Sequence, residues 1–254
     1  MSGLDVRAFT VGPVQENCYI VRAVPRLGAG AQGPARALIV DPGEEAERLL
    51  GAAGSLGVEI EAILITHCHF DHIGAVAEVA RSTGAPVYCP EIERGVLADV
   101  MSFVPPGFGP YESYVADHTL AGGERLTLAG LEIEVLFTPG HSPGHLTYAV
   151  APASGDPAGA GGAVEGGGAP ALFSGDVLFA GSVGRVDLPG GDWETLERSI
   201  GGLLDSFSED AIVYPGHMAV TTLGRERDSN PFLRELRMRA GDAAAPDATA
   251  AGGS

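Results

Sequence analysis

Thr66-His67-Cys68-His69-Phe70-Asp71-His72 decides the reading of this chain. Three of its seven histidines fall in this one stretch. The apolar run Ile60–Ile65 before it reads as a buried strand. Ile73–Arg81 after it reads as a helix closed by Gly84. Side chains alternate in an extended segment, so His67 and His69 point one way and Cys68 the other, into packing. The turn into the helix then projects Asp71 and His72. Imidazole nitrogens and carboxylate oxygens together suit Zn²⁺, Fe or Mn²⁺. Ordinary surface histidines have no reason to cluster so at a strand end.

Three further corners share this form. Leu131–Phe137 ends in Thr138-Pro139-Gly140-His141, Ala171–Phe173 in Ser174-Gly175-Asp176, and Ala211–Tyr214 in Pro215-Gly216-His217. Each sets one His or Asp just past a strand, beside small or rigid residues that let the backbone turn tightly. His145 follows His141 by four residues and reads as a supporting group. His118 reads as a surface residue of a polar loop. The apolar loop Phe103-Val104-Pro105-Pro106-Gly107-Phe108 either lines a substrate mouth or packs beneath the fold. Arg185 and Asp187 either order the loop after Asp176 or pair on the surface.

Outward from these corners the chain reads as mixed strands and helices. Leu4–Val11 and Asn17–Ala23 are strands joined at Gly12-Pro13, and Ala37–Val40 is a strand ending in Asp41-Pro42-Gly43. Glu44–Leu56 has helical apolar spacing. Ala85–Cys89, Leu126–Leu128 and His145–Val150 are strands; Trp193–Phe207 and Asn230–Arg239 are helices. Flexible loops are expected at about 25–36 and 151–170, both rich in Gly, Ala and Pro, and a disordered tail at 240–254. A single domain over 1–239 follows, with two sheets inside and helices outside.

The composition excludes several alternatives. The 254 residues carry a net charge of −18, which opposes a nucleic-acid or anionic-membrane partner. All fifteen cationic side chains are Arg, so lysine Schiff-base and P-loop chemistry are out. No apolar run is long enough for a transmembrane helix. Three widely spaced cysteines and a start, Met1–Arg7, without an apolar signal core point to the cytoplasm, and away from an exported β-lactamase.

His67-x-His69-x-Asp71-His72, then His141, Asp176 and His217, resembles the metallo-β-lactamase superfamily in ligand set and order. Within it the chain is similar to the glyoxalase II-like (hydroxyacylglutathione hydrolase-like) short hydrolases. Gln15-Glu16-Asn17-Cys18-Tyr19, Thr138-Pro139-Gly140-His141-Ser142-Pro143-Gly144, Phe173-Ser174-Gly175-Asp176, Gly184-Arg185-Val186-Asp187-Leu188-Pro189-Gly190-Gly191 and Asn230-Pro231-Phe232-Leu233 carry that likeness. It implies an α+β fold, the four-layer αββα sandwich, with a metal site at one edge. It further implies two divalent ions, zinc before iron or manganese. His67, His69 and His141 would hold one, Asp71, His72 and His217 the second, and Asp176 would bridge them.

Such a site implies a hydrolase in which a metal-bridging hydroxide attacks a carbonyl. A thioester is the natural small-molecule substrate, because a thiolate leaves without strong acid help. Asp71 can manage the proton. Full-length glyoxalase II enzymes add a helical domain whose basic residues help grip glutathione. With no Lys and one expected helix from Asn230, the chain resembles the short hydrolases, and its thiol carrier stays open. A one-iron persulfide dioxygenase and a non-catalytic metal scaffold are the alternatives. Seven intact ligands favour two metals and hydrolysis.

Overall fold

Two six-stranded sheets carry the fold in the computed structural model, which describes residues 3–24, 34–153 and 169–234. The first runs β1 (Leu4–Val11), β2 (Glu16–Ala23), β3 (Ala35–Val40), β4 (Val58–Leu64), β5 (Val87–Pro90) and β6 (His118–Leu120) in that spatial order. The second contains β7 (Arg125–Leu128), β8 (Leu131–Phe137), β9 (Leu146–Pro152) and β10 (Ala171–Gly175). A two-stranded hairpin, β11 (Leu178–Phe179) and β12 (Ser182–Val183), stands apart. β13 (Ile212–Pro215) and β14 (Thr221–Thr222) complete the second sheet, whose order is β14-β13-β10-β9-β8-β7.

Strand alternation builds the layers. Tyr19, Val21, Leu38, Val40 and Leu64 of the first sheet meet Leu131, Ile133, Val135, Tyr148, Val150 and Phe173 of the second. The opposite face of the first sheet, with Ile20, Ile39 and Ile63, packs on helices α1 (Ala46–Leu56) and α3 (Val76–Thr83) through Leu49, Ala53, Val76 and Val79. A single turn, α2 (Phe70–Ile73), precedes α3, and α4 (Arg94–Ala98) follows β5. On the outer face of the second sheet, Ala149, Leu172 and Val213 meet Leu196, Ile200 and Leu203 of α5 (Trp193–Ser206) and Leu223 of α6 (Leu223–Ser229). Helix, sheet, sheet, helix is the αββα order expected. No helix among the described residues is long and apolar enough to cross a membrane.

Some local expectations change. The helix expected over Ile73–Arg81 is two, because Ala75 N–H leaves the helical ladder and donates to Pro42 O at 3.0 Å. Of the helix expected over Asn230–Arg239, the first residues form a 3-10 turn, Pro231–Leu233, just after α6, and 235–239 lie outside the described residues. Asn230 is extended, as the residue before Pro prefers, and its side chain caps Phe232 N–H. Ala35–Arg36 and Ala151–Pro152 were expected in loops but belong to β3 and β9, since they pair with Val58–Glu59 and Leu131–Glu132. His118 stands in β6 rather than a loop, stacked on Tyr88 at 4.5 Å. The remainder of the two expected loops (25–33 and 154–168), and the expected tail, lie outside the described residues.

One bond ties the two sheets at the point that matters. Tyr148 on β9 is fully buried, and its hydroxyl donates to Ile65 O at 2.7 Å, just past β4. Leu146 N–H donates to Thr66 O at 2.8 Å beside it. Tyr148→Phe leaves a buried carbonyl one partner short, which costs about 1–3 kcal/mol. Urea unfolding is expected to show that loss with the m-value unchanged.

Candidate metal centre

The strand ends converge. The end of β4 leads into Thr66 and His67, and α2, which follows His69, carries Asp71 and His72 in its single turn. The corners after β8 and β13 deliver His141 and His217, and the end of β10 delivers Asp176. Two glycines permit the approach. Gly140 sits at φ +130°, where a Cβ would fall 2.3 Å from Leu196 N. A Cβ on Gly216 would fall 2.3 Å from Asp176 Oδ1. A side chain at either position would push the corner out of place.

Four of the five clustered histidines have their outer nitrogen tied to an oxygen. His141 Nδ1 donates to Arg185 O at 2.7 Å and His217 Nδ1 to Gln15 O at 3.2 Å. His72 Nδ1 donates to Asp41 Oδ2 at 3.0 Å. Thr66 Oγ1 spends its proton on Asp41 Oδ2 at 2.6 Å and so accepts from His67 Nδ1 at 3.1 Å. A carbonyl or carboxylate can only accept, so in each neutral ring the proton sits on Nδ1 and Nε2 keeps the lone pair.

The inward nitrogens converge, and the lone pairs of His67 and His141 face each other. His67 Nε2 lies 3.1 Å from His69 Nδ1, and His141 Nε2 lies 3.2 Å from His67 Nε2 and 2.8 Å from His69 Nδ1. Three nitrogens around one tetrahedral zinc stand about 3.3 Å apart, given Zn–N bonds of about 2.0–2.1 Å. Asp71 Oδ2, His72 Nε2 and His217 Nε2 form a second group, with Asp71 3.2 Å from His217 and 3.8 Å from His72. Asp176 stands between the groups. Its Oδ1 is 3.4 Å from His72 Nε2, and its Oδ2 is 3.5 Å from His141 Nε2 and 3.6 Å from His217 Nε2. His72 Nε2 and Asp176 Oδ1 are buried without a hydrogen-bond partner. Opposed lone pairs and orphaned buried donor atoms are what a cation resolves, so the residues fit divalent metal ions. Asp41, His67 and His72 also lie close together, but Asp41 is occupied by Thr66 and His72 Nδ1.

The electrostatics divide along the same line. Burial, reinforced by neighbouring imidazoles, holds His67 well below the usual range and pushes His69 down to about 4. Burial also opposes charge on His72, yet Asp176 and Asp71 outweigh it and hold His72 well above its usual value. His217 is raised against burial by its bond to Asp71. Asp176 is held far below the carboxylate range, its burial overcome chiefly by His72.

The other sequence candidates find places around the cluster. His145 is fully buried; its Nε2 accepts from Asp176 N–H at 3.1 Å while its ring stacks on His67 at 4.9 Å. It steadies the Asp176 backbone. Cys68 points away, its Sγ 3.5 Å from Cys89 Sγ. Phe108 packs on Phe70 at 4.7 Å, which puts the apolar loop beside α2, although Phe103 is exposed. The side chains of Arg185 and Asp187 pair on the surface at 2.6 Å, and it is the backbone carbonyl of Arg185 that orients His141. Asn17 Nδ2 and the Tyr19 hydroxyl both donate to Pro215 O, so the Gln15–Tyr19 motif fastens the corner of His217.

Three residues escaped the sequence reading. Asp41 follows the apolar strand Ala37–Val40 just as the other corner residues follow theirs, a signal that was available. Glu16 is fully buried with neither carboxyl oxygen hydrogen-bonded, 3.8 Å from His72 Nδ1. Glu93, in a polar run, gave no signal.

Residues 11–217, which include all seven clustered side chains, match the metallo-beta-lactamase superfamily. The chain belongs to that superfamily. Hydroxyacylglutathione hydrolase GloC of Haemophilus influenzae is 33% identical, across 91% of this chain and 98% of its own. The crystal structure of BLEG-1 B3 metallo-beta-lactamase superposes with a TM-score of 0.75 at 36% identity, covering 91% of this chain and 100% of that one. The structure of TTHA1623 in a di-iron-bound form gives 0.63 at 38% identity, covering 89% and 100%. This member of the superfamily is a metallo-hydrolase with a His/Asp metal-binding cluster.

The split electrostatics give a measurable difference between the two groups. His67 and His69 give up their protons at lower pH than His72 and His217, whose neighbouring carboxylates favour the charged ring. An ion entering beside Asp71 therefore competes with protons over a higher pH range than one entering at the three histidines. Calorimetric titration in buffers of different protonation enthalpy is expected to resolve two events, with the larger proton release at the Asp71 group.

Proposed function

We propose that the chain is a dinuclear metal-dependent thioesterase that cleaves the S-acyl bond of a 2-hydroxyacyl thiol. His67, His69 and His141 would hold one ion, Asp71, His72 and His217 the other, and Asp176 would be shared between them. The observation that carries this reading is the position of Asp176, with one oxygen facing His72 and the other facing both His141 and His217. A single-iron oxygenase site has no use for two complete groups joined by a carboxylate. The likeness to a hydroxyacylglutathione hydrolase supports the thioester, and the likeness to a di-iron protein supports iron beside zinc as the resident metal.

When bound, the ions supply Lewis acidity toward water and the substrate carbonyl. The protein residues do the rest. The far-side bonds of His67, His72, His141 and His217 fix their rings before substrate arrives. Asp71 is held below its usual carboxylate range, chiefly by His72 against its own burial, so it stays ionised and takes up a water proton only in passing. Phe70, Phe108 and Tyr111 form an aromatic wall on the α2 side, where an acyl or thiol group can pack. Departure of the thiolate asks for no strong acid. Three buried free thiols favour a reducing, cytoplasmic setting, and the net charge of −18 disfavours nucleic-acid or anionic-membrane partners.

Metal analysis paired with a panel of thioesters, lactones, phosphodiesters and β-lactams tests the reading. About two ions per chain and turnover confined to thioesters are expected. One ion per chain with oxygen consumption on a persulfide would replace it with the oxygenase, and turnover of β-lactams alone would sink the substrate assignment. Asp176→Ala is expected to lose at least one ion and nearly all hydrolysis while the far-ultraviolet spectrum is kept. A metal-replete, active variant would remove Asp176 from the bridging role.

A further inference from the structure

We propose that Glu93 is a positioning residue for the metal centre, a carboxylate clamp that locks the His67–His69 corner to the His141 corner. It ends the short 3-10 turn Glu91–Glu93 after β5. Its neighbours Ile92 and Arg94 are exposed, whereas Glu93 turns inward and is only 5% exposed. Its Oε2 accepts from Cys68 N–H at 2.6 Å. Its Oε1 accepts from the Ser142 hydroxyl at 2.6 Å and from Gly144 N–H at 2.8 Å.

The donors define the role. Cys68 lies between His67 and His69 in sequence, and Ser142 follows His141. One side chain thus holds the two backbone segments that present the three facing imidazoles. None of its bonds involves a ligand of the Asp71, His72 and His217 group. Glu93 also accounts for two residues of the Thr138–Gly144 motif that the metal does not use. Ser142 supplies a donor, and Gly144 supplies clearance, since a Cβ there would fall 2.8 Å from Glu93 Cγ.

The chemistry demands a carboxylate. Two of the three donors are backbone N–H groups, and they approach different oxygens. A carboxamide offers one acceptor oxygen and turns an NH₂ toward the other side, where it meets Cys68 N–H or Gly144 N–H donor to donor. Glu93→Gln therefore preserves shape and breaks the clamp on one side. The corner it releases carries either His67 and His69 or His141, and loss of an orienting partner weakens a metal site by about 10–100-fold.

The test is stepwise titration of the metal-free full chain with Co²⁺, followed by its visible absorption bands, for wild type, Glu93→Gln and Ser142→Ala. Glu93→Gln is expected to weaken the ion on the three histidines at least tenfold, to alter its bands, and to leave the other ion at wild-type affinity. Ser142→Ala, which spares both N–H bonds, is expected to move the same ion in the same direction by less. Wild-type affinity at both groups in Glu93→Gln would overturn the proposal, as would equal losses at both with a lowered Tm. If Glu93→Gln does not fold, Ser142→Ala decides: selective weakening upholds the clamp, and unchanged affinities refute it. The proposal rests on the two-ion assignment, whose failure would show in the wild-type titration, whereas failure of the clamp shows only in the difference between wild type and variant. No substrate enters the measurement.

Discussion

Imidazole lone pairs facing each other at about 3 Å repel unless a cation lies among them, and the centre depends on arranging that confrontation in advance. Each neutral ring has one proton to place. In His67, His72, His141 and His217 the proton is drawn outward by an oxygen that can only accept or has already given its own proton away. In the neutral ring the inward nitrogen is left with the lone pair, for which a proton competes where carboxylates raise His72 and His217. The geometry is thus set by bonds outside the cluster, and the fold's task is to bring those outer oxygens to the right places.

Asp41 shows how economically this is done. Its Oδ1 accepts Thr66 N–H, and its Oδ2 accepts both Thr66 Oγ1–H and His72 Nδ1–H. One carboxylate at the end of β3 fixes the end of β4, the tautomer of His72 directly and that of His67 through Thr66. Parallel pairing of β3 and β4, which sets Val40 opposite Leu64, places Asp41 in reach. The inter-sheet bond from Tyr148 to Ile65 holds the same strand end from the other sheet. A buried carboxylate is stable where charge-assisted bonds surround it, and Asp41 receives three.

The layer order and the seven clustered residues were legible in the sequence because each leaves a local trace. Buried strands are apolar or alternating runs, and each corner residue comes shortly after one, past small or rigid residues. What was not legible is what acts across the chain. Glu93 reaches donors 25, 49 and 51 residues away, and in sequence it is one acid in a polar turn. The backbone carbonyls of Gln15 and Arg185 orient ligands with no regard to their side chains, so residue type carries no signal. The break between α2 and α3 is hidden for the same reason, since Ala75 N–H is drawn off by Pro42 O. Pattern reading finds which residues are chemical and misses which backbone atoms hold them.

Imidazoles hold Asp71 and Asp176 below the carboxylate range, but a buried neighbour is left without such support. Asp41, Asp71, Asp176 and Glu16 lie within electrostatic reach of one another, and Glu16 has no bond to either oxygen; burial and those neighbours push it well above the carboxylate range. In the metal-free chain the buried Glu16 opposes folding, because its carboxyl group has left water without gaining a hydrogen bond. The three apolar layers make it tolerable, because none of them draws its cohesion from the cluster: the inter-sheet layer and the two helix-facing layers close on aliphatic and aromatic side chains. Those layers thereby offset the desolvation of Glu16 and of the unpartnered His72 Nε2 and Asp176 Oδ1 at the sandwich edge. A divalent cation would supply the partner that the last two atoms lack, which couples metal affinity to the folded arrangement of the corners.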